Sequence, residues 1–333
     1  MRGQGIDSVA VFRDKDHVLV NHNDAPYFPP LCDLILSKYP DVNMNMGVYA
    51  GAGPYPQCFA NLTESEKLVQ AEKKKLQFIQ MLEKFARHLQ TRYVMPFAGQ
   101  YVLGGRLAVL NDYRGVADIS EVGVYLSDAR DQETINLSVT GPEKSSLAQT
   151  QVERSLIAKP VLFSSWNQGA WFDLANGDQS QPFVPENTEE RSAYARNVLA
   201  DKKLDYEEQW YIAPRLRTNL TPLLLGAARH MHRIIRRSYM HDVEAIRKWH
   251  LYLDVGQGYL YQVGTHDPTV SITASDEEVE PFIRISLDYS LLLMILTRHA
   301  HWNNAEIGSH LLFYRSPDMF ERSLSSALSF LHL

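Results

Sequence analysis

The sequence predicts an α/β unit followed by an α+β module, and three observations carry that prediction. Short apolar runs alternate with helical patterns between residues 8 and 97. A long amphipathic segment with a capping signature lies between two Gly/Pro-rich turns. Further on, the alternating pattern WHLYLDVGQGYLYQVG closes around Gly256-Gln257-Gly258, a hairpin signal.

Each element has its own residues. SVAVFR at 8–13 and HVLVN at 17–21 read as strands joined by a turn at Asp14-Lys15-Asp16. A helix follows over 30–39, then a buried strand over 43–49 that ends in the turn AGAGPYP. Thr63-Glu64-Ser65-Glu66 forms a capping box for a long helix. On it Leu68, Val69, Leu76, Ile79, Leu82 and Phe85 recur at helical spacing, opposite Lys73, Lys74 and Lys75. A strand at 92–97 runs into Ala98-Gly99 and completes a first domain over 1–125. Residues 126–190 are polar and punctuated and read as an irregular linker that includes Trp166 and Trp171. In a second domain over 191–333, helices are expected at 188–201 and 221–247, then the hairpin and TVSITAS. A helix start at Ser275-Asp276-Glu277-Glu278 leads to an apolar helix at 286–297, a strand at 307–314 and a final helix at 317–331 opened by Pro317 and Asp318.

Composition narrows the partners. The 333 residues are 45% hydrophobic and 22% charged, ordinary for a folded globular chain. A net charge of −6 gives no reason to expect nucleic acid. The longest apolar run, Leu291 to Leu296, is far short of a membrane span, and no signal peptide opens the chain. Cys32 and Cys58 are the two cysteines and form no CxxC pair, so a reducing, cytoplasmic setting is expected. P-loop and Gly-x-Ser-x-Gly motifs are absent.

Three stretches carry a family resemblance. GAGPYPQCF, the Lys-rich helix and PFAGQYV resemble the second half of the metallo-β-lactamase-fold domain of CMP-N-acetylneuraminate monooxygenases (CMP-sialic acid hydroxylases) and their bacterial relatives. The strand ending in Asn21-His22-Asn23-Asp24 is similar to the family's Asn-x-Asn-Asp strand, and HWNNAEIGSHLLFYRSPDMFERSL to its closing segment. The resemblance implies the second half of an αββα sandwich, followed by an α+β domain whose element order is similar to sterol-carrier-like domains. It implies a metal-dependent hydrolase-like protein acting on a nucleotide sugar or surface carbohydrate precursor, with a non-catalytic accessory or ligand-binding module as the alternative. The family's His-x-His-x-Asp-His loop does not occur, so the chain is expected to start in the middle of the fold and to need the other half-domain or an oligomeric partner. Rieske Cys-x-His and Cys-x-x-His loops are also lacking, which leaves no ligand set for a Rieske cluster.

The resemblance places Asp24 where this fold holds a bridging metal carboxylate, for zinc or iron; the residues alone allow a plain Asx turn at Asn21, Asn23 and Asp24. His22, two residues earlier, would share a strand face with Asp24 and complete a metal pair. That is still an incomplete set, because zinc takes about four ligands. His230-Met231-His232 lies in a helical pattern, where residues two apart diverge by about 200°. His299 and His301 follow a helix end and suit its dipole. Arg229, Arg233, Arg236 and Arg237 line one side of a helix; Arg233 and Arg236 could grip a phosphate, or the face could be solvated or paired with the acids at Asp242 and Glu244. Trp302, beside His301, either lines a pocket for a ring-shaped ligand or stabilises its turn together with Asn303 and Asn304.

Overall fold

The computed structural model describes residues 8–127, 162–163, 168–209, 219–237 and 242–333. It is a mixed α/β structure with two five-stranded mixed sheets, and its packing divides into two units. The division is not one cut. Residues 52–70 and 102–114 pack with the C-terminal unit, whereas 115–191 pack with the N-terminal one.

In the N-terminal unit the sheet runs in chain order: β1 (Ala10–Asp14), β2 (His17–Asn21), β3 (Met44–Gly47), β4 (Tyr93–Pro96) and β5 (Leu162–Phe163). β1 and β2 form the expected hairpin, turned by Lys15 at φ +48°, and β2 through β5 are parallel. Helices α1 (Pro29–Lys38) and α2 (Glu64–His88) make the crossovers. The register aligns Val20, Asn45 and Val94 in one row, so their side chains share a sheet face. On that face Phe85 of α2 and Leu89 just beyond its end pack with Val18, Val20, Cys32 and Ile35, while Ile79, Leu82 and Ala86 pack with Val94. On the opposite face the Phe172 ring stands edge-on to Tyr93 at 5.0 Å. Phe172, within the described part of 126–190, therefore packs on the sheet, while Trp171 and Val184 are exposed; Trp166 lies outside the described residues.

The apolar stripe of α2 needs a correction. Leu68, Val69 and Leu76 are exposed, and burial begins in earnest only at Ile79. A helix of this length runs about 37 Å, while a four-residue strand spans about 13 Å, so only the later turns have a sheet to cover.

The C-terminal unit orders its sheet β10-β9-β6-β7-β8, with β6 (His250–Asp254), β7 (Leu260–Val263), β8 (Val270–Thr273), β9 (Phe282–Ser286) and β10 (Leu312–Ser316). The β6–β7 hairpin turns at Gly256 (φ +72°) and Gly258 (φ +79°), as the glycines require. β9 lies parallel to β6 between it and β10. One face carries Leu251, Leu253, Tyr261, Val263, Ile285 and Phe313 into the main core. There they meet α5 (Leu220–Arg237), α7 (Tyr289–Leu296), α8 (Trp302–Ile307) and α9 (Arg322–Leu328). Short helices α3 (Thr188–Tyr194), α4 (Asp205–Gln209) and α6 (Val243–Arg247) are also present, with a 3-10 helix at Gly105–Tyr113 and a π-helical turn at Ala195–Leu199.

Several expected elements shift. Ser275 to Glu278 form a turn that leads into β9, a strand the sequence pattern hid because its pairing with β6 and β10 is non-local. The helix expected over 221–247 is two helices, the second capped by Asp242, whose carboxylate accepts from the Ala245 amide. Trp302 to Ile307 are helix, not turn and strand, and β10 starts later, at Leu312. The final helix is capped by Glu321 and begins at Arg322, five residues past Pro317.

Candidate functional site

The expected metal pair is not brought together. His22 is completely buried, its ring stacked on Phe85 at a centroid distance of 3.8 Å. Its other side presses on Gly47, where an added Cβ would lie 1.9 Å from the imidazole. Asp24 is exposed. The reason is local: β2 ends at Asn21, and Asn23 at φ +46° breaks the strand alternation that would have aligned the two side chains. Both His22 nitrogens, and the amide of the equally buried Asn45, lack hydrogen-bond partners. Burial accordingly pushes the His22 pKa down to about 4. Among the described residues no group of three or more His, Cys, Asp or Glu side chains is placed to hold a metal. His22 and Asp24 therefore do not fit zinc or iron.

The other candidates also land elsewhere. Arg233 and Arg236 lie on the exposed face of α5, and Arg236 faces Asp267 at 3.9 Å. His232 is a satisfied core residue, its Nε2 donating to the Gly264 carbonyl at 2.8 Å, while His230 packs edge-on to His332. Trp302 is 2% exposed and belongs to the core.

A cavity of about 350 Å³ in the C-terminal unit has the features of a binding site that those residues lack. Its walls come from the 3-10 helix, the ends of β6 and β9, and the loop at 309–312. That loop is clamped. Gln57 Nε2 donates to the Ser309 hydroxyl at 3.0 Å, and the Cys58 thiol lies 3.6 Å from the Ser309 carbonyl. The Phe313 amide donates to the Cys58 carbonyl at 2.8 Å, and Ser309 itself is held at φ +63°. Thus the PYPQCF segment holds one wall of the cavity.

The polar groups form a chain. Arg106 Nη2 donates to the Tyr206 hydroxyl at 2.9 Å, and that hydroxyl shares a hydrogen bond with His310 Nδ1 at 3.2 Å. Burial, and after it the Arg106 charge, lower the His310 pKa, although Asp205 and Glu207 oppose the shift. The imidazole fits because residue 308 is glycine: a Cβ there would meet it at 2.8 Å. On the facing wall Asp254 accepts from the Gly256 amide and the Ser286 hydroxyl, and Asp288 caps α7 through the Ser290 and Leu291 amides. Arg106 is balanced by Glu207 at 3.2 Å. The cavity therefore carries two carboxylates in excess, over an apolar floor of Leu107, Leu110, Leu287 and Leu311.

The site is not legible in the sequence because its lining comes from five separate segments without a shared motif, at 58, 106–110, 254–256, 286–288 and 309–312. No helix among the described residues is long and apolar enough to cross a membrane. No protein-family model matches the chain, and no curated protein does.

Proposed function

We propose that the chain is a non-catalytic ligand-binding module related to the metallo-β-lactamase-fold proteins it resembles, and that its cavity at Arg106, Tyr206 and His310 takes a neutral polyhydroxylated ligand such as a saccharide. The observation that carries this is the charge of the cavity: Asp254, Asp288 and the Glu207 beside Arg106 outnumber its one guanidinium. A phosphate would meet net negative charge there. Vicinal hydroxyls would find carboxylate acceptors, a guanidinium donor, an imidazole, and an apolar floor for the ring. This reading keeps the carbohydrate half of the expected nucleotide-sugar substrate and drops the phosphate half. The β2-α1-β3-α2-β4 order of the N-terminal unit supports the half-sandwich reading. A zinc or iron hydrolase would need ligands other than His22 and Asp24, so no catalytic step is assigned.

Titration calorimetry with neutral hexoses and N-acetylhexosamines, alongside CMP-N-acetylneuraminate, tests the proposal. Binding of a neutral sugar, weakened about tenfold by Asp254→Asn, is expected from the loss of one charge-assisted hydrogen bond. Metal analysis of the same preparation provides the contrary outcome. Stoichiometric zinc or iron that is lost in Asp24→Ala, together with binding of the sugar nucleotide, would reinstate the metallohydrolase reading.

A further inference from the structure

A second cavity of the C-terminal unit, about 290 Å³, lies between α8 and α9 and contains none of the residues assigned above to the saccharide site. It adjoins a narrow apolar slot of about 40 Å³ whose lining includes Phe313 and Leu324, and Glu306, Phe320 and Ser325 line both. Three features of the pair point to a ligand.

The first is Glu306. Its carboxylate is half-buried and accepts from the Trp302 indole N–H at 3.2 Å, but no cation lies within ion-pair distance among the described residues. A carboxylate held away from water without a cation is costly, and burial raises its pKa accordingly. The second feature is Arg322 on the rim of the same cavity, which also has no acidic partner within ion-pair distance among the described residues. Its neighbour in the slot, Arg315, is by contrast consumed by Asp318 at 2.6 Å and by the Phe59 ring at 4.6 Å. The third feature is the apolar rim. Ile307, Met319 and Phe320 are 47%, 54% and 64% exposed around the entrance.

We infer that this groove binds a free α-amino acid with an apolar side chain, its ammonium at Glu306, its carboxylate at Arg322 and its side chain in the slot toward Phe313 and Leu324. The ammonium supplies the cation that Glu306 lacks. The ligand carboxylate matches the guanidinium fork. Asn303 and Ser325 supply further polar groups at the head of the site, and the volume lies at the small end of ligand pockets. A fatty acid would set its carboxylate against Glu306, and a phosphate would do so more strongly.

The test is titration calorimetry of the full chain with L-phenylalanine and L-leucine, against phenethylamine and 3-phenylpropionate, which each lack one charge. The amino acids are expected to bind, with each analogue about tenfold weaker or worse. Glu306→Gln, which keeps an acceptor for the Trp302 indole, and Arg322→Gln should each weaken the amino acid about tenfold. If Glu306→Gln alters folding, Arg322→Gln still decides, because that side chain is exposed and has no internal ion pair. Absence of amino-acid binding, equal affinity for an analogue, or binding unchanged by Arg322→Gln overturns the inference. Asp254→Asn should leave amino-acid binding intact; loss of it there would place the ligand in the first cavity and also overturn the inference.

Discussion

At the scale of single residues, His22 is the most exacting position in the N-terminal unit. A histidine before an Asn-Asp turn reads as a loop residue or a ligand, because the sequence does not announce that Phe85 and Gly47 will close over it. The glycine makes the arrangement possible: any side chain at 47 would occupy the place of the imidazole. The two orphaned ring nitrogens then set a pH dependence. In the folded chain the pKa lies near 4, while on unfolding it returns to the ordinary 6.5. Between those values the unfolded chain binds the additional proton, so stability rises with pH, is complete above the unfolded value and is lost as pH falls toward the folded one. At about 1.36 kcal/mol per unit, the whole window amounts to about 3 kcal/mol. Unfolding free energies from denaturant titrations at pH 7.5 and pH 4.5 should therefore differ more for the native chain than for His22→Leu, by about 2.5 kcal/mol. An identical pH response in both proteins would remove His22 from the account.

At the scale of elements, what the sequence revealed was local and what it hid was not. The capping box of α2 forms as read: the Thr63 amide donates to Glu66 at 2.8 Å and the Glu66 amide to Thr63 Oγ1 at 3.3 Å. The hairpins at Lys15 and at Gly256 to Gly258 are likewise encoded within a few residues. β9 was missed because PFIRIS follows an acidic run that looks like a helix start, and only pairing with β6 and β10 makes it a strand. The cavity at Arg106 was illegible for the same reason, since Gln57 and Ser309 meet across 252 positions. Asp288 serves both levels, capping α7 and lining that cavity. Asp288→Ala should lower stability by about 1 kcal/mol through the lost cap. Asp288→Ser keeps a capping oxygen without the charge, so it should restore most of that stability and still bind the saccharide poorly. Thermal melts and calorimetry on the two variants separate the roles. Full binding by the serine variant would show that the carboxylate acts only as a cap.

At the scale of the whole molecule, chain order suggests contiguous domains, whereas residues 52–70 and 102–114 pack with the C-terminal unit through contacts such as Phe59 against Phe313. No periodicity signals a contact of that separation. Charge, in contrast, is legible from composition, and it leads to a prediction for the entire chain. With 39 acidic and 33 basic residues, the net charge of −6 at pH 7 vanishes near the pI of about 6.1. Repulsion between molecules is then weakest, while Phe12, Val109 and Val184 remain at least 59% exposed. Static light scattering at low ionic strength should therefore peak near pH 6 and decline toward pH 8. Below the pI the charge grows positive and a folded chain should disperse again. In the native protein, however, protonation of His22 erodes the fold over that same interval, so scattering should stay high down to pH 4. His22→Leu, without that proton site, should disperse on the acid side as well. A native chain that disperses fully at pH 4.5 would show that acid does not open the N-terminal core.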